Sequence, residues 1–504
     1  MSRYVVALDF GHGGAKVLFF DLETGHRFSL YQKWGYFTPE NDEYRKEFHP
    51  SEFFNIFCQL VSDGLRKQKI KPHDVVGISI ACMRHSYVFL DGKGMEIYAG
   101  PNTDVRGVFY QDVVESVPLD LYQLTGQGPP LMFMPARLLW FKNERPDVFK
   151  KIKYAITTGD WLLYRLSGVF ATEPSLASTT LLFDLEKKQW IPEIMEALDM
   201  NDVNLPEVHQ AGERIGELTR EASKQMGLPE ETPVAIGGSD TQLGILASGA
   251  LADGDLGVVA GTSIPVMMVL SKPVIDQKRR IWTSFHVTPG KWVLEGNGQM
   301  GGLIYDWLKN NVQEMAMKND QETYAYMESV ARKIPAGSDG VLASLGSEIF
   351  DINTISIVRP GMFRFQQPVH PMNTTPATFG HFIRAALENV AFAVKGNIEQ
   401  IEEITNKKTS TLRVTGGMSK NSLWAEILAQ VTGKNVKVTS IEEGTAMGSA
   451  MCAAVGAGAY KTLEEAAKDI VHLQREITPD DENMKVYERC YETWREWYMK
   501  LAEM

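Results

Sequence analysis

The chain has 504 residues, too many for one ordinary domain and suited to two or three. Its composition is globular, 44% hydrophobic and 23% charged with ten Trp, and a net charge of -12 argues against a general nucleic-acid binder or a membrane-surface protein. Four scattered cysteines, Cys58, Cys82, Cys452 and Cys490, form no CxxC pair, which favours a reducing cytosol over a disulfide framework and removes a structural zinc site.

Met1-Ser2-Arg3-Tyr4 leads straight into an apolar run without a signal peptide's core. No apolar run approaches the roughly 20 residues of a membrane helix, so a cytoplasmic location is expected. Residues 4–8 read as a strand ending at Asp9, Phe10-Gly11-His12-Gly13-Gly14 as a hairpin turn, and residues 17–20 as the returning strand. A third strand is expected over 28–33. Ser51 is placed to cap a helix whose Phe54, Phe57, Cys58, Val61 and Leu65 share one face. Pro72 breaks the chain before a buried strand over 75–80, giving the order strand, strand, strand, helix, strand. Helices around 138–141 and 161–166 follow.

Residues 233–236 form a short apolar lead into Gly237-Gly238-Ser239-Asp240-Thr241-Gln242. In isolation this is a turn with a helix-capping Asp, or a carboxylate placed to take a proton or help hold a metal ion. The polar turn at 251–255 is read as a boundary between units 1–252 and 253–504. The opening theme then returns: an apolar run over 257–260, the small-residue turn Gly261-Thr262-Ser263, and an apolar run over 266–269. Helices are expected at 303–308 and 383–404, a strand at 412–415 meeting Gly416-Gly417, a helix at 422–431 and a strand at 436–438. The Gly- and Ala-rich segment 444–459 reads as an internal helix. The last helix carries Tyr487, Cys490, Tyr491, Trp494 and Trp497 at three- and four-residue spacing, a packing stripe belonging either to the core or to a homodimer contact.

Asp9 stands at a strand end beside a loop of amides that can cradle phosphate oxygens, with Lys16 adding positive charge. Neither a GxxxxGK[ST] loop nor a dinucleotide fingerprint is present. Gly261-Thr262-Ser263 offers a second phosphate grip with hydroxyls. Gly416-Gly417-Met418-Ser419-Lys420-Asn421 is a strand-to-helix turn open to a flat base or an α-phosphate. Two aspartates and three glycine turns together imply two lobes closing on a Mg-nucleotide, with an acceptor between them.

These segments, with Glu295-Gly296, Gly301-Gly302, the run from His381 to Glu388 and Trp424, resemble the FGGY family of carbohydrate kinases over nearly the whole chain. Met83-Arg84, Asn102-Thr103-Asp104-Val105-Arg106, Thr125-Gly126-Gln127 and Arg137-Leu138-Leu139-Trp140 are most similar to its autoinducer-2 kinase branch. The resemblance implies an α/β protein of two actin-like (ribonuclease H-like) ATPase domains with an active site in the cleft between them. It implies a kinase using ATP and Mg2+ on a small sugar or polyol acceptor. Asp240 is the implied general base, and Asp9 and Asp240 the metal-binding carboxylates. Gly11, His12, Gly13, Lys16, Gly261, Thr262, Ser263, Gly302, Gly416, Gly417 and Asn421 take nucleotide positions. Arg84, His85, Asp104 and Gln242 take acceptor positions, Arg84 and Asp104 having an ion pair as their alternative.

Two departures bear on activity. His12 stands where the family usually has Thr, and His85 where autoinducer-2 and glycerol kinases generally carry Glu. The stretch 360–378 also departs from the first half of the family signature. The expected acceptor is the autoinducer-2 precursor dihydroxypentanedione, with a pentulose or polyol as the alternative. A sugar sensor disabled at His12 and an actin- or chaperone-like ATPase are the readings from other classes.

Overall fold

The computed structural model describes residues 3–316, 319–355, 359–366 and 376–501; the start of the chain and the middle of the divergent 360–378 stretch lie outside them. Tyr4–Gly11 and Gly14–Asp21 form the expected hairpin, Arg27–Lys33 extends it, and Val75–Cys82 runs parallel to the first strand. Pro233–Ala235 and Gly238–Ser239 both pair with Val75–Cys82, and Arg214–Glu217 closes that edge.

The second half repeats the plan. Leu256–Val259 pairs antiparallel with Pro265–Leu270, which pairs with Trp292–Asn297, while Thr411–Thr415 lies parallel to Leu256–Val259 on its other side. Asn435–Thr439 and Leu473–Ile477 extend the sheet at one end and Trp282–Phe285 at the other. A buried strand with apolar residues on both faces is what a sheet covered by helices requires, and Val5, Val6, Ala7 and Leu8 are all fully buried.

Helix Pro50–Gln68 packs on the first sheet through Phe54, Phe57 and Val61. Its cap position is His49 rather than Ser51, because Pro50 takes the first helical position, where its fixed φ and missing N–H cost nothing. Helix Gly444–Gly456 packs against the first sheet and against helix Asp240–Ala247, although it lies late in the chain. Small residues make this possible: a Cβ on Gly448 would stand 2.3 Å from the Leu243 carbonyl oxygen, and one on Gly456 2.5 Å from Ala235 Cβ. The junction between the lobes is therefore a close-packed core. A three-stranded sheet of Glu96–Gly100, Tyr87–Leu90 and Tyr154–Thr157 is inserted in the first half. The C-terminal stripe is core: Tyr487, Tyr491 and Trp494 are buried against Phe392 of helix Phe379–Thr405. Among the described residues no helix is long and apolar enough to cross a membrane.

Candidate active site

The first hairpin sets Asp9 directly opposite Lys16, and the parallel strand beside it ends at Cys82, just before Arg84. Asp240 opens helix Asp240–Ala247 at the end of Gly238–Ser239, its Oδ1 accepting the Thr241 N–H at 2.8 Å. Gly237 must lack a side chain, since a Cβ there would stand 1.6 Å from the Ile80 carbonyl oxygen. Strand ends from one sheet thus bring both expected aspartates into one electrostatic cluster.

Burial raises the Asp9 pKa to about 7, against the pull of Lys16, with Asp240 and Glu443 adding to the rise. Burial likewise raises Asp240 to about 6, opposed by Arg84 and the Thr241 amide and reinforced by Glu295. Burial works against the Lys16 ammonium, but Asp9 and Glu443 outweigh it and hold its pKa up. Lys16 Nζ lies 3.2 Å from Glu443 Oε1. Four carboxyls, Asp9, Asp240, Glu295 and Glu443, thus meet two cations, Lys16 and Arg84. That negative surplus suits a divalent cation arriving with a nucleotide. Among the described residues no group of three or more His, Cys, Asp or Glu is placed to hold a metal ion by itself.

The phosphate turns differ in how they are held. In the first loop the His12 carbonyl accepts from Trp34 Nε1 at 3.1 Å and from the Tyr36 hydroxyl at 2.8 Å. The Gly13 carbonyl accepts from the Tyr31 hydroxyl at 2.9 Å. The His12 ring is hydrogen-bonded to Asn102 Oδ1 at 2.9 Å through Nδ1, so the imidazole is anchored. In the second turn, Gly261 N–H bonds back to Val259 O and Ser263 O, leaving Thr262 exposed. A Cβ on Gly302 would lie 1.9 Å from the Gly261 carbonyl oxygen, which binds this turn to the start of helix Gly301–Ala316. Gly416 adopts φ 103° over Ala260, and Gly417 faces open space. Gly261, Thr262, Gly302, Gly417 and Asn421 all line one pocket of about 720 Å³, together with Tyr305. Asn421 is a wall of that pocket: its Oδ1 accepts from Trp424 N–H and its Nδ2 donates to the Tyr305 hydroxyl.

The residues expected to meet the acceptor separate into two pairs. Arg84 forms a two-point ion pair with Glu295, with N–O distances of 2.6 and 2.7 Å, and lies over the Trp282 ring. His85 packs at 4.9 Å from Phe133 and 5.4 Å from Trp282, measured between ring centroids, at φ 57°. Burial, followed by Arg84 and Arg137 and opposed by a hydrogen bond with the Thr179 backbone, holds its pKa well below the ordinary range, so it is neutral. Asp104 is instead sealed in the first lobe, bound by Arg106 Nε at 2.9 Å and by the Tyr98 hydroxyl at 3.1 Å. The ion-pair alternative for Arg84 and Asp104 is therefore replaced by separate pairs, Arg84 with Glu295 and Asp104 with Arg106. Gln242 is also sealed, accepting from Thr241 Oγ1 at 2.6 Å and donating to Ser284 of the second lobe at 2.9 Å. Both residues brace walls.

Glu295, Glu443, Trp282, Trp34 and Tyr36 were not among the expected site residues. Glu295 stands in a family-like segment, the one signal that marked it. Glu443 sits one residue before a Gly-rich helix beside an equally acidic Glu442, and nothing in the letters separates the two.

The profile of the FGGY family of carbohydrate kinases matches here, its N-terminal domain over residues 4–247 and its C-terminal domain over 256–457. Autoinducer-2 kinases of Yersinia pestis bv. Antiqua (strain Angola) and Yersinia pseudotuberculosis serotype O:3 (strain YPIII) are each 30% identical over 504 residues, covering 98% of this chain and 94% of the relative. Gluconate kinase from Lactobacillus acidophilus superposes with a TM-score of 0.83 at 20% identity, covering 100% of this chain and 99% of that one. Plasmodium falciparum glycerol kinase with ADP gives 0.82 at 19% identity, covering 98% of each chain.

Proposed function

The chain belongs to the FGGY family of carbohydrate kinases, and we propose that it transfers the γ-phosphoryl group of Mg-ATP to a hydroxyl of the autoinducer-2 precursor dihydroxypentanedione. The observation that carries the reading is the convergence of Asp240 and Asp9 with Lys16 and the Arg84–Glu295 pair, beside glycine turns that line a nucleotide-sized pocket. In the reaction the acceptor oxygen forms a bond to the γ-phosphorus as the bond from that phosphorus to the β–γ bridging oxygen breaks, and ADP leaves. Asp240 receives the hydroxyl proton. In a loose transition state that proton moves late, so orientation and charge neutralisation supply most of the rate. Asp9 and Asp240 would hold Mg2+, which neutralises phosphate charge when bound. Lys16 supplies a further positive charge to the phosphates, and Trp34 and Tyr36 fix the first loop by occupying its carbonyl.

Arg84 presents a guanidinium to acceptor oxygens, oriented by Glu295. The neutral His85 beside Trp282, in place of a carboxylate that would bind two adjacent hydroxyls, supports a second reading, a pentulose or polyol kinase. An NADH-coupled assay of ADP release with 4,5-dihydroxy-2,3-pentanedione, xylulose, ribulose, erythrulose and glycerol separates the two. Preference for the dione supports the first reading, and preference for a pentulose or polyol replaces it with the second.

A further inference from the structure

The chain from Ser440 to Thr445, leaving strand Asn435–Thr439 and entering helix Gly444–Gly456, meets three separate parts of the cleft in one short run. Arg27 Nη2 donates to the Ser440 carbonyl at 2.7 Å, and Ser29 Oγ donates to Glu443 Oε1 at 2.9 Å; both donors stand on strand Arg27–Lys33 of the first sheet. The same Glu443 oxygen lies 3.2 Å from Lys16 Nζ, on the adjoining strand Gly14–Asp21. Glu442 pairs at 2.6 Å with Lys420, which lines the nucleotide-sized pocket. Thr445 Oγ1 donates to the Asp240 carbonyl at 3.1 Å.

Lys16 stands in the field of two acids. The hairpin register sets Asp9 opposite it, and Asp9 and Glu443 together hold its pKa up. Among the described residues its ion pair is nevertheless with Glu443 and not with Asp9. Ser29 explains the preference, because its hydroxyl fixes the Glu443 carboxylate independently of the lysine. The two side chains are 28% and 29% exposed, so the pair is partly open rather than sealed in a core. A pair of that exposure contributes little to stability, and its effect is to orient the lysine. An ammonium has three donors, and Glu443 engages one, leaving the others for oxygens that arrive in the cleft.

We propose that Glu443 is a positioning residue for the polyphosphate: an acid of the second lobe that holds Lys16 of the first lobe off Asp9 and toward the phosphate-gripping turns. The inference rests on the reading of Lys16 as a cation that faces phosphate. Without the Glu443 charge, the acid left in the field of Lys16 is Asp9. Pairing there withdraws the cation from the phosphates and engages a carboxylate expected to face Mg2+.

Calorimetric binding of the non-hydrolysable β,γ-imido analogue of ATP, without Mg2+, to the wild type, Lys16→Met, Glu443→Gln and the double variant tests the assignment. Both side chains are partly exposed, so the variants should fold. Lys16→Met is expected to weaken binding about ten-fold in the Glu443 protein, through loss of a charge-assisted contact. In the Glu443→Gln background, where the lysine is no longer aimed at phosphate, the same change should cost less than about two-fold. Equal weakening in the two backgrounds, as a merely structural Glu443 would give, overturns the proposal, and so does no weakening in either. Binding by the wild type without this dependence fails the proposal alone, whereas no binding by the wild type fails the kinase reading with it.

Discussion

Arg84 of the first lobe and Glu295 of the second meet in a planar two-point pair, 211 residues apart in sequence, with Glu295 fully buried. A guanidinium fork matched to a carboxylate is stronger and more directional than a point charge, so the pair fixes how the two segments meet beside Asp240. Glu295→Gln removes the carboxylate counter-charge of the buried Arg84 and leaves one amide oxygen to accept from it. The expected loss is about 3 kcal/mol in denaturant unfolding, together with a raised KM for the acceptor. Unchanged stability and unchanged KM would remove the pair from the account.

The carboxyl pKa values give a pH signature. Asp240 accepts a proton only when ionised, so kcat/KM for the acceptor should rise through about pH 6 and then level off. A profile flat from pH 5 to 8 would contradict its role as base.

Stability follows the opposite course. The Asp9 pKa is about 7 in the folded chain, above the roughly 3.9 of an unfolded Asp, so protonated Asp9 favours folding. Its contribution is fully present below about pH 4 and is lost as pH rises through about 7. Asp9→Asn should therefore raise the Tm of the ligand-free protein at pH 8 and leave it nearly unchanged at pH 4. Thermal melts at the two pH values check this.

Gly302 has no room for a methyl group, which would stand 1.9 Å from the Gly261 carbonyl oxygen. Gly302→Ala must push the second phosphate turn away from the helix start. Overpacking of this kind costs about 1–3 kcal/mol, and the expected effect is a KM for ATP raised about ten-fold with the acceptor KM little changed. Equal increases in both constants would indicate a global distortion instead.

Tyr36 donates to the His12 carbonyl alongside Trp34. Tyr36→Phe removes one of the two bonds, worth about 1 kcal/mol, and should raise the KM for ATP by several-fold. His12→Thr, which removes the bond to Asn102, measures how far the anchored imidazole limits turnover.

Much of the architecture was legible because local chemistry dictates it. The hairpin around Gly11–Gly14 could be read from its glycines, although its strands run on past Asp9 to Gly11 and leave only His12 and Gly13 as the turn, and the same grammar returned at Gly261-Thr262-Ser263. The small residues from Gly444 onward announced an internal helix, and Gly448 against Leu243 shows why. What the letters concealed were pairings between distant segments. Arg84 could have met any acid, and only the folded lobes choose Glu295 over Asp104. Asp104 and Gln242 looked like pocket residues because they are polar within family-like segments, but polar residues are equally needed to satisfy buried walls. The hairpin Trp282–Phe285 with Trp292–Asn297, which carries Glu295, was missed because its strands are short, although Pro289-Gly290 marks its turn.

The measurement that bears most directly on the central claim is turnover and nucleotide binding in Asp240→Asn, a substitution that keeps shape and removes the base. The account predicts that ADP release with the preferred acceptor falls by at least about 100-fold, the usual scale of lost general base catalysis, while ADP without Mg2+ binds within a few-fold of wild type. Turnover near the wild-type rate would contradict the assignment of Asp240, and with it the placement of the acceptor hydroxyl between Asp240 and the phosphate turns.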